Sequence, residues 1–320
     1  MPPSPCTLLL VLSVGFGLWK LNRRHRATVI PHGEERVLIL GASSGIGREI
    51  ARQYAARGAT VCVVGRRMDK VTAVMEKCKN SLGLSADITI VKDMVRVRTV
   101  LEKEWAGVDT VIVAAGVSAT RPLLEVAGVG LQQDSDASEE GIQFAINAAE
   151  TAARSNYLGP MIAAISFIPL LKRSSKSPSI LLISSLGAVI PAPTRTMYGS
   201  TKGASLLLYQ ALAIEHPSIS FSFVLPSTVE GDFRASAVDQ EPLPENLPAQ
   251  VANERTTLNS TNSTSGLKVY RVAQRCIQAV DYSEKIVFIP HIMRLGHLVY
   301  WIWPSLIERK AMKKYGFTPE

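Results

Sequence analysis

A short apolar run, Arg36–Leu40, leads straight into Gly41-Ala42-Ser43-Ser44-Gly45-Ile46-Gly47 and then into a helical pattern through Arg57. An apolar run without alternation marks a strand covered on both faces. A glycine-rich turn between such a strand and a helix lets the backbone approach a pyrophosphate. The helix amino terminus then offers it free N–H groups and a positive dipole end. The spacing here is Gly-x-x-x-Gly-x-Gly rather than Gly-x-Gly-x-x-Gly. Alone, such a turn is a weak signal; set between strand and helix, it points to a dinucleotide.

The pattern then repeats. A β-like run over residues 59–64 ends in Gly65-Arg66-Arg67, and a helix is predicted over 68–79. An extended segment ends at Ala86-Asp87, followed by a helix over 90–105 and a buried strand over 109–114. After the polar, acidic segment 132–140, a helix is expected over 139–171, interrupted near Gly159-Pro160. Further strands read at 180–183, 219–225 and 285–289, with helices at 198–214 and 267–280. Alternating strands and helices without hairpin signals predict an α/β chain: one doubly wound, Rossmann-type parallel sheet with right-handed crossovers.

Where the second strand meets an adenosine ribose, an acid pairs with a free 2′-hydroxyl and an arginine with a 2′-phosphate. Arg66 and Arg67 stand there with no carboxylate, which favours NADP over NAD. Asp87 ends the third strand and either accepts from an adenine amino group or is an ordinary turn residue.

The chemistry gathers later. Residues 180–183 deliver Ser184 and Ser185 to a strand end, and Tyr198 and Lys202 share one face of the next predicted helix. A lysine cation beside a phenol favours phenolate, so the Tyr198 pKa is expected to fall from about 10 toward neutrality. A phenol so tuned exchanges a proton with an alcohol or carbonyl oxygen. Tyr-x-x-x-Lys alone is also what an ordinary amphipathic helix carries. Asn156 lies in the helix before; such an amide either faces solvent or, if buried, bends the helix and holds a water.

The formal net charge of +8 is dispersed except for Arg23-Arg24-His25-Arg26, so nucleic acid is not an expected partner. Cys6, Cys62, Cys78 and Cys276 are scattered, which suggests neither a metal site nor a disulfide framework, and Cys62 reads as core. Residues 6–19 are apolar and uncharged, but short against the roughly 20 residues a span needs. A signal peptide would want a basic start and a small-residue cleavage site, where this chain has Pro2, Pro3 and Pro5. A retained anchor fits better, with Trp19 at the interface and residues 20–26 among headgroups, which places the following chain on the cytosolic side. The acceptor triplets at Asn259 and Asn262 argue mildly for the lumen.

Residues 234–265 read as a long polar loop, a natural lid or a plain excursion. The tail, residues 291–320, is apolar and aromatic before Pro304 and basic after it. It suits a helix in a membrane interface, or equally one packed across a homodimer interface. The resulting division is an anchor and basic flank over 1–35, a catalytic domain over 36–290 and a tail over 291–320.

Taken together, Gly41-x-x-x-Gly45-x-Gly47, Asp87, Asn156, Ser185 and Tyr198-x-x-x-Lys202 resemble the short-chain dehydrogenase/reductases in order and spacing over nearly all of residues 36–289. The anchor and tail are similar to the microsomal, 11-beta-hydroxysteroid dehydrogenase-like branch, which implies a membrane location in the endoplasmic reticulum. The resemblance implies NADP(H)-dependent interconversion of a ketone and a secondary alcohol on a lipophilic substrate such as a steroid, retinoid or other lipid. It implies Tyr198 as acid/base, with Lys202 lowering its pKa and binding the nicotinamide ribose. Ser185, rather than Ser184, would polarise the carbonyl, and Asn156 would hold a relay water. Cofactor contacts would come from Gly41, Ser43, Ser44, Gly45, Ile46, Gly47, Arg66, Asp87, Tyr198, Lys202 and Val229, with no metal. The chain departs from the family at Val113-Ala114-Ala115-Gly116, which lacks the usual asparagines, and at Pro226-Ser227. Gly231 stands where a threonine is common, and the stretch from Gly116 to Asn156 is long. A non-catalytic, cofactor-binding scaffold of the same fold is the competing reading.

Overall fold

The computed structural model describes residues 26–130, 136–240 and 266–317. The predicted anchor, its flank through residue 25, and residues 241–265 with both glycosylation acceptors lie outside them. One fully parallel sheet carries the strands β1 (Arg36–Leu40), β2 (Thr60–Gly65), β3 (Ser81–Ser85), β4 (Thr110–Val113), β5 (Ser179–Ile183), β6 (Ser220–Pro226) and β7 (Ile286–Ile289). Its order is β3-β2-β1-β4-β5-β6-β7, so the winding reverses between β1 and β4.

Period-two side-chain alternation divides the core. Leu38, Leu40, Leu182 and Phe223 face a layer made by α3 (Val91–Trp105), α6 (Gly159–Ser174) and α7 (Thr196–Glu215). Val37, Ile39, Leu181 and Val224 face α1 (Gly45–Ala56), α2 (Met68–Met75) and α8 (Val269–Asp281). Cys62 and Cys276 are buried within this core, and burial pushes both thiols up to about 12. Helix α2 stops at Met75, short of the predicted residue 79: the Cys78 N–H bonds back to the Met75 carbonyl and Asn80 turns the chain at φ 54°.

The long helix expected over 139–171 is broken into α5 (Glu139–Ala153), a widened π turn (Arg154–Leu158) and α6. The break precedes Gly159-Pro160 and centres on Asn156. A short α4 (Leu123–Val126) and a bridge from Ser118 to Ala237 fill the stretch after β4. The described start of the predicted polar loop is not free-standing. The buried Asp239 accepts from the Thr120 and Arg121 backbone N–H groups, both at 2.6 Å, fastening this segment to the chain after β4.

At the amino-terminal edge of the sheet, the sequence expectation for Arg26 is corrected. Instead of lying among headgroups, it is buried, paired with the buried Glu35 and donating to the Ser177 and Asp109 carbonyls at 2.9 and 3.0 Å. Arg57 pairs with the other Glu35 oxygen and with Asp281 at 2.9 Å, and Thr110 Oγ1 donates to Glu35 at 2.6 Å. A buried carboxylate holds its charge only when cations and donors surround it, and Arg26 supplies one of them.

After β7 the tail forms α9 (Met293–Ile302) and α10 (Pro304–Tyr315), neither with a buried residue. Among the described residues no helix is long and apolar enough to cross a membrane.

Candidate active site

The carboxyl ends of the strands open into a cavity of about 1540 Å³, the place where doubly wound sheets bind ligands. On its β1 side, Gly41 turns at φ 90°, a conformation that disfavours side chains, and a Cβ there would meet the Ala115 nitrogen at 2.5 Å. A Cβ on Gly47 would meet the Gly41 carbonyl oxygen at 2.4 Å, so helix and turn pack backbone on backbone. Gly45 is open, and Ser44 makes no side-chain cap, which leaves the first turn of α1 without a side-chain acceptor. This cradle suits the pyrophosphate of a dinucleotide. Ser43, Ser44, Ile46, Arg66, Arg67, Asp87 and Val229 line the same cavity, together with Arg48 and Lys70, cations the sequence reading had not placed there.

Arg66 is exposed, 4.0 Å from Asp87. Asp87 spends one oxygen on the Thr89 N–H at 2.9 Å, an Asx turn, and leaves its other oxygen toward Arg66. Asp87 is thus a turn residue that also lines the cavity. Gly231 sits at φ 112°, which accounts for a glycine where a threonine is common.

Ser185, Tyr198, Lys202 and Asn156 converge in the middle. Ser185 leaves β5 extended, and its hydroxyl accepts from the Gly187 N–H at 3.1 Å, opening a 3-10 turn over Leu186–Ala188. Ser184 points away, donating to the Lys202 carbonyl at 3.4 Å. Tyr198 sits beside Ser185, near enough for the two hydroxyls to influence each other. Phe233 meets the Tyr198 ring edge-on, centroids 6.0 Å apart, and Arg195 lies 6.0 Å from the ring centre.

The expected fall in the Tyr198 pKa is not found. Burial dominates and holds the phenol above its usual value, against smaller downward pulls from the neighbouring Ser185 hydroxyl and the Arg195 charge. Lys202 is itself buried, and burial draws it down to about 8. Its ammonium donates to the carbonyl of Ile183 at 3.1 Å rather than to the phenol. A shared helix face brought the two near each other but did not pair them.

Asn156 is fully buried and sits at the break in the helix, not facing solvent. Its Oδ1 accepts from the Val117 N–H at 2.9 Å, while Nδ2 donates to the Val117 carbonyl at 3.0 Å and to Thr201 Oγ1 at 3.1 Å. The π turn is what aims this amide at the chain after β4. Gly116 has to be glycine, since a Cβ would lie 2.8 Å from Asn156 Oδ1 and 3.0 Å from Lys202 Nζ.

Beyond Tyr198 the cavity is walled by Ile190, Pro191, Phe233 and Val238 and roofed by Val299, Leu306 and Ile307 of the tail. The tail was expected only at a membrane or subunit interface. Its contribution to the cavity comes from long-range packing that no local pattern announces.

A parallel sheet with a phosphate-ready turn at its switch point and a Ser/Tyr/Lys group at the same edge defines a nucleotide-dependent α/β protein. The short chain dehydrogenase family model matches residues 35–242, and the chain belongs to that family. It is similar to the 11-beta-hydroxysteroid dehydrogenase-like 4A protein of Arabidopsis thaliana, 28% identical over 201 residues that cover 61% of this chain and 60% of that one. The 11-beta-hydroxysteroid dehydrogenase-like 3 protein of that plant is 31% identical over 202 residues, 61% of this chain and 59% of the relative. The chain therefore spans less than two thirds of the length of these plant relatives. A dehydrogenase/reductase SDR family protein 7-like of Dictyostelium discoideum is 29% identical over 290 residues, 85% of this chain and 79% of the other.

Among solved structures, a short chain dehydrogenase/reductase from Burkholderia phymatum in complex with NAD superposes with a TM-score of 0.68 at 19% identity, covering 87% of this chain and 96% of that one. An alcohol dehydrogenase from Thermococcus sibiricus complexed with 5-hydroxy-NADP gives 0.58 at 22% identity, covering 80% and 95%. At these identities the likeness is one of fold.

Proposed function

We propose that the chain is an NADP(H)-dependent oxidoreductase that interconverts a ketone and a secondary alcohol on a lipophilic substrate. The observation that carries this reading is the convergence of Ser185, Tyr198 and Lys202 on one cavity at the carboxyl ends of the strands, with the buried Asn156 amide and the Lys202 ammonium meeting at Gly116. Ser185 and Tyr198 would hold the substrate oxygen between them. Burial keeps the Tyr198 phenol protonated at neutral pH, so it is loaded to give its proton to a carbonyl oxygen during reduction. Ser185 would polarise that oxygen and orient it.

A bound nicotinamide cofactor supplies or accepts the hydride. Gly41, Ser43, Ser44, Gly45, Ile46 and Gly47 would take its pyrophosphate, and Arg66 a 2′-phosphate. Asp87 would face the adenine, and Lys202 and Val229 the nicotinamide half. Asn156, with one Oδ1 lone pair left, would hold a water through which the Tyr198 proton is replaced.

The tail supports a membrane-facing placement of the cavity mouth, as for an enzyme of the endoplasmic reticulum membrane with its catalytic domain in the cytosol. Trp301, Ile302 and Trp303 are 75%, 85% and 57% exposed on a segment that continues into Arg309, Lys310, Lys313 and Lys314. The same apolar face would serve a homodimer contact; flotation with anionic vesicles against concentration-dependent sedimentation separates the two.

The direct test of the enzyme reading is NADPH oxidation by the purified full-length chain over a panel of lipophilic ketones. Turnover is expected, with Tyr198→Phe slower by roughly a thousandfold. NADPH binding without turnover of any ketone, together with no effect of Tyr198→Phe, would favour the non-catalytic scaffold.

A further inference from the structure

The substrate half of the cavity is not only apolar. Arg195, Arg234, Lys310 and Lys314 all line it, contributed by the start of α7, the turn after β6, and α10. They surround the tyrosine that the proposed function uses. Arg195 lies 6.0 Å from the Tyr198 ring centre, and Phe233, the neighbour of Arg234, packs edge-on against the same ring. From the tail, Lys314 Nζ is 5.7 Å from the Tyr315 ring, and the Tyr315 hydroxyl lies close enough to Tyr198 and Arg234 to influence both.

Among the described residues these cations have no acidic partner. Arg195 Nη1 donates only to neutral acceptors, Ser118 Oγ at 3.1 Å and the Ala119 carbonyl at 2.9 Å. No described carboxylate makes an ion pair with Arg195, Arg234, Lys310 or Lys314. Of the two acids on this rim, Glu230 is engaged by Lys268 at 2.8 Å, and Asp232 is exposed. Arg195 and Arg234 instead repel each other: burial, then the charge of Arg195, lowers the Arg234 pKa from the ordinary arginine value.

Half-buried guanidinium groups that face one another without a carboxylate cost stability, and the cost is recovered when an anion arrives between them. The cations on the phosphate side of the cavity, Arg48, Arg66, Arg67 and Lys70, follow β1 and β2, whereas Arg195, Arg234 and the tail lysines line it on the side of Tyr198.

We propose that the substrate is an amphiphile: an apolar chain or ring body bearing the reacting ketone or alcohol, and an anionic group, carboxylate or phosphate, seated between Arg195, Arg234 and Lys314. This rests on the oxidoreductase reading and narrows it, since a neutral steroid or retinoid would leave these cations unmatched. The apolar walls take the body, and the rim cations fix which carbonyl is presented to Tyr198.

The test compares a long-chain oxo-fatty acid, its methyl ester and a long-chain oxo-alkyl phosphate with the full-length chain and NADPH. The free acid or the phosphate should exceed the ester in kcat/KM by about tenfold or more, the scale of a charge-assisted hydrogen bond. Arg234→Gln and Lys314→Gln should each shrink that ratio. The better of the two anions identifies the head group. An ester used as well as both acids, or a ratio unmoved in both variants, overturns the proposal. Thermal shift of the NADPH-loaded protein separates this from failure of the enzyme reading. Even with no turnover, the anionic amphiphiles should raise Tm more than the ester, and Arg234→Gln should remove the difference; equal shifts overturn the proposal.

Discussion

Lys202 gives its ammonium hydrogen bond to the carbonyl of Ile183, the last residue of β5, at 3.1 Å. Helix α7, which carries Tyr198, is thereby tied to the strand that delivers Ser185, and a lysine is kept out of water with one neutral acceptor. Its pKa of about 8 follows from that burial.

A stability signature follows. Lys202 titrates near 8 in the fold and near 10.4 in the unfolded chain. Below pH 8 both states hold the proton. Between about 8 and 10.4 the unfolded chain holds more, so stability contributed by this residue rises with pH across that window, by up to about 3 kcal/mol. Urea denaturation of the cofactor-free protein at pH 8 and pH 10 should show wild type gaining on Lys202→Met. Parallel curves would contradict the burial of an unpaired ammonium.

Gly47→Ala places a methyl 2.4 Å from the Gly41 carbonyl oxygen, a backbone atom that cannot swing aside. A loss of about 1–3 kcal/mol in stability is expected, along with at least tenfold weaker NADPH binding by fluorescence titration. Gly45→Ala meets nothing within 4 Å and carries only the strain of φ 54°, about 1 kcal/mol. Similar losses in the two variants would refute the packing argument.

Asn156→Ala leaves both backbone groups of Val117 without their side-chain partner in a buried site. Destabilisation of about 2–4 kcal/mol is expected from two unmet polar groups. A solvent-facing amide would cost almost nothing, so denaturation alone distinguishes the two.

Arg66→Ala should weaken NADPH by about tenfold or more and leave NADH nearly unchanged, because only the former carries the 2′-phosphate. Since Arg66 is exposed, the difference should narrow as salt is raised. An unchanged preference would remove the NADP assignment.

The inner strands were legible in the sequence because a parallel sheet buried on both faces leaves uninterrupted apolar runs such as Val37 to Leu40, whereas the half-buried edge strand β3, Ser-Leu-Gly-Leu-Ser, carries no such run and read only as an extended segment. The glycine turn was legible because its spacing has a steric cause that Gly41 and Gly47 display. What escaped depends on distance along the chain. Gly159-Pro160 marked an interruption, but nothing local gave it the form of a π turn that aims Asn156 at Val117, 39 positions away. Nothing near Arg26 distinguishes it from the basic residues before it; the buried Glu35 does so only once folded. The Tyr198 expectation failed because helix periodicity sets which face a lysine shares, not which acceptor its ammonium reaches. The tail's role in the cavity wall was hidden for a similar reason: its lining residues follow β7 but meet a tyrosine before β6.

The burial of Arg26 has a practical corollary. It is fastened to residues that precede β1, β4 and β5, so the described chain begins at the pole of the sheet farthest from the cavity, while Tyr315 ends α10 on the cavity's rim. A reporter joined ahead of the domain would stand clear of the mouth, and one joined after the tail would stand in the doorway. Activity compared between amino- and carboxyl-terminal fusions therefore reads out how freely substrate enters.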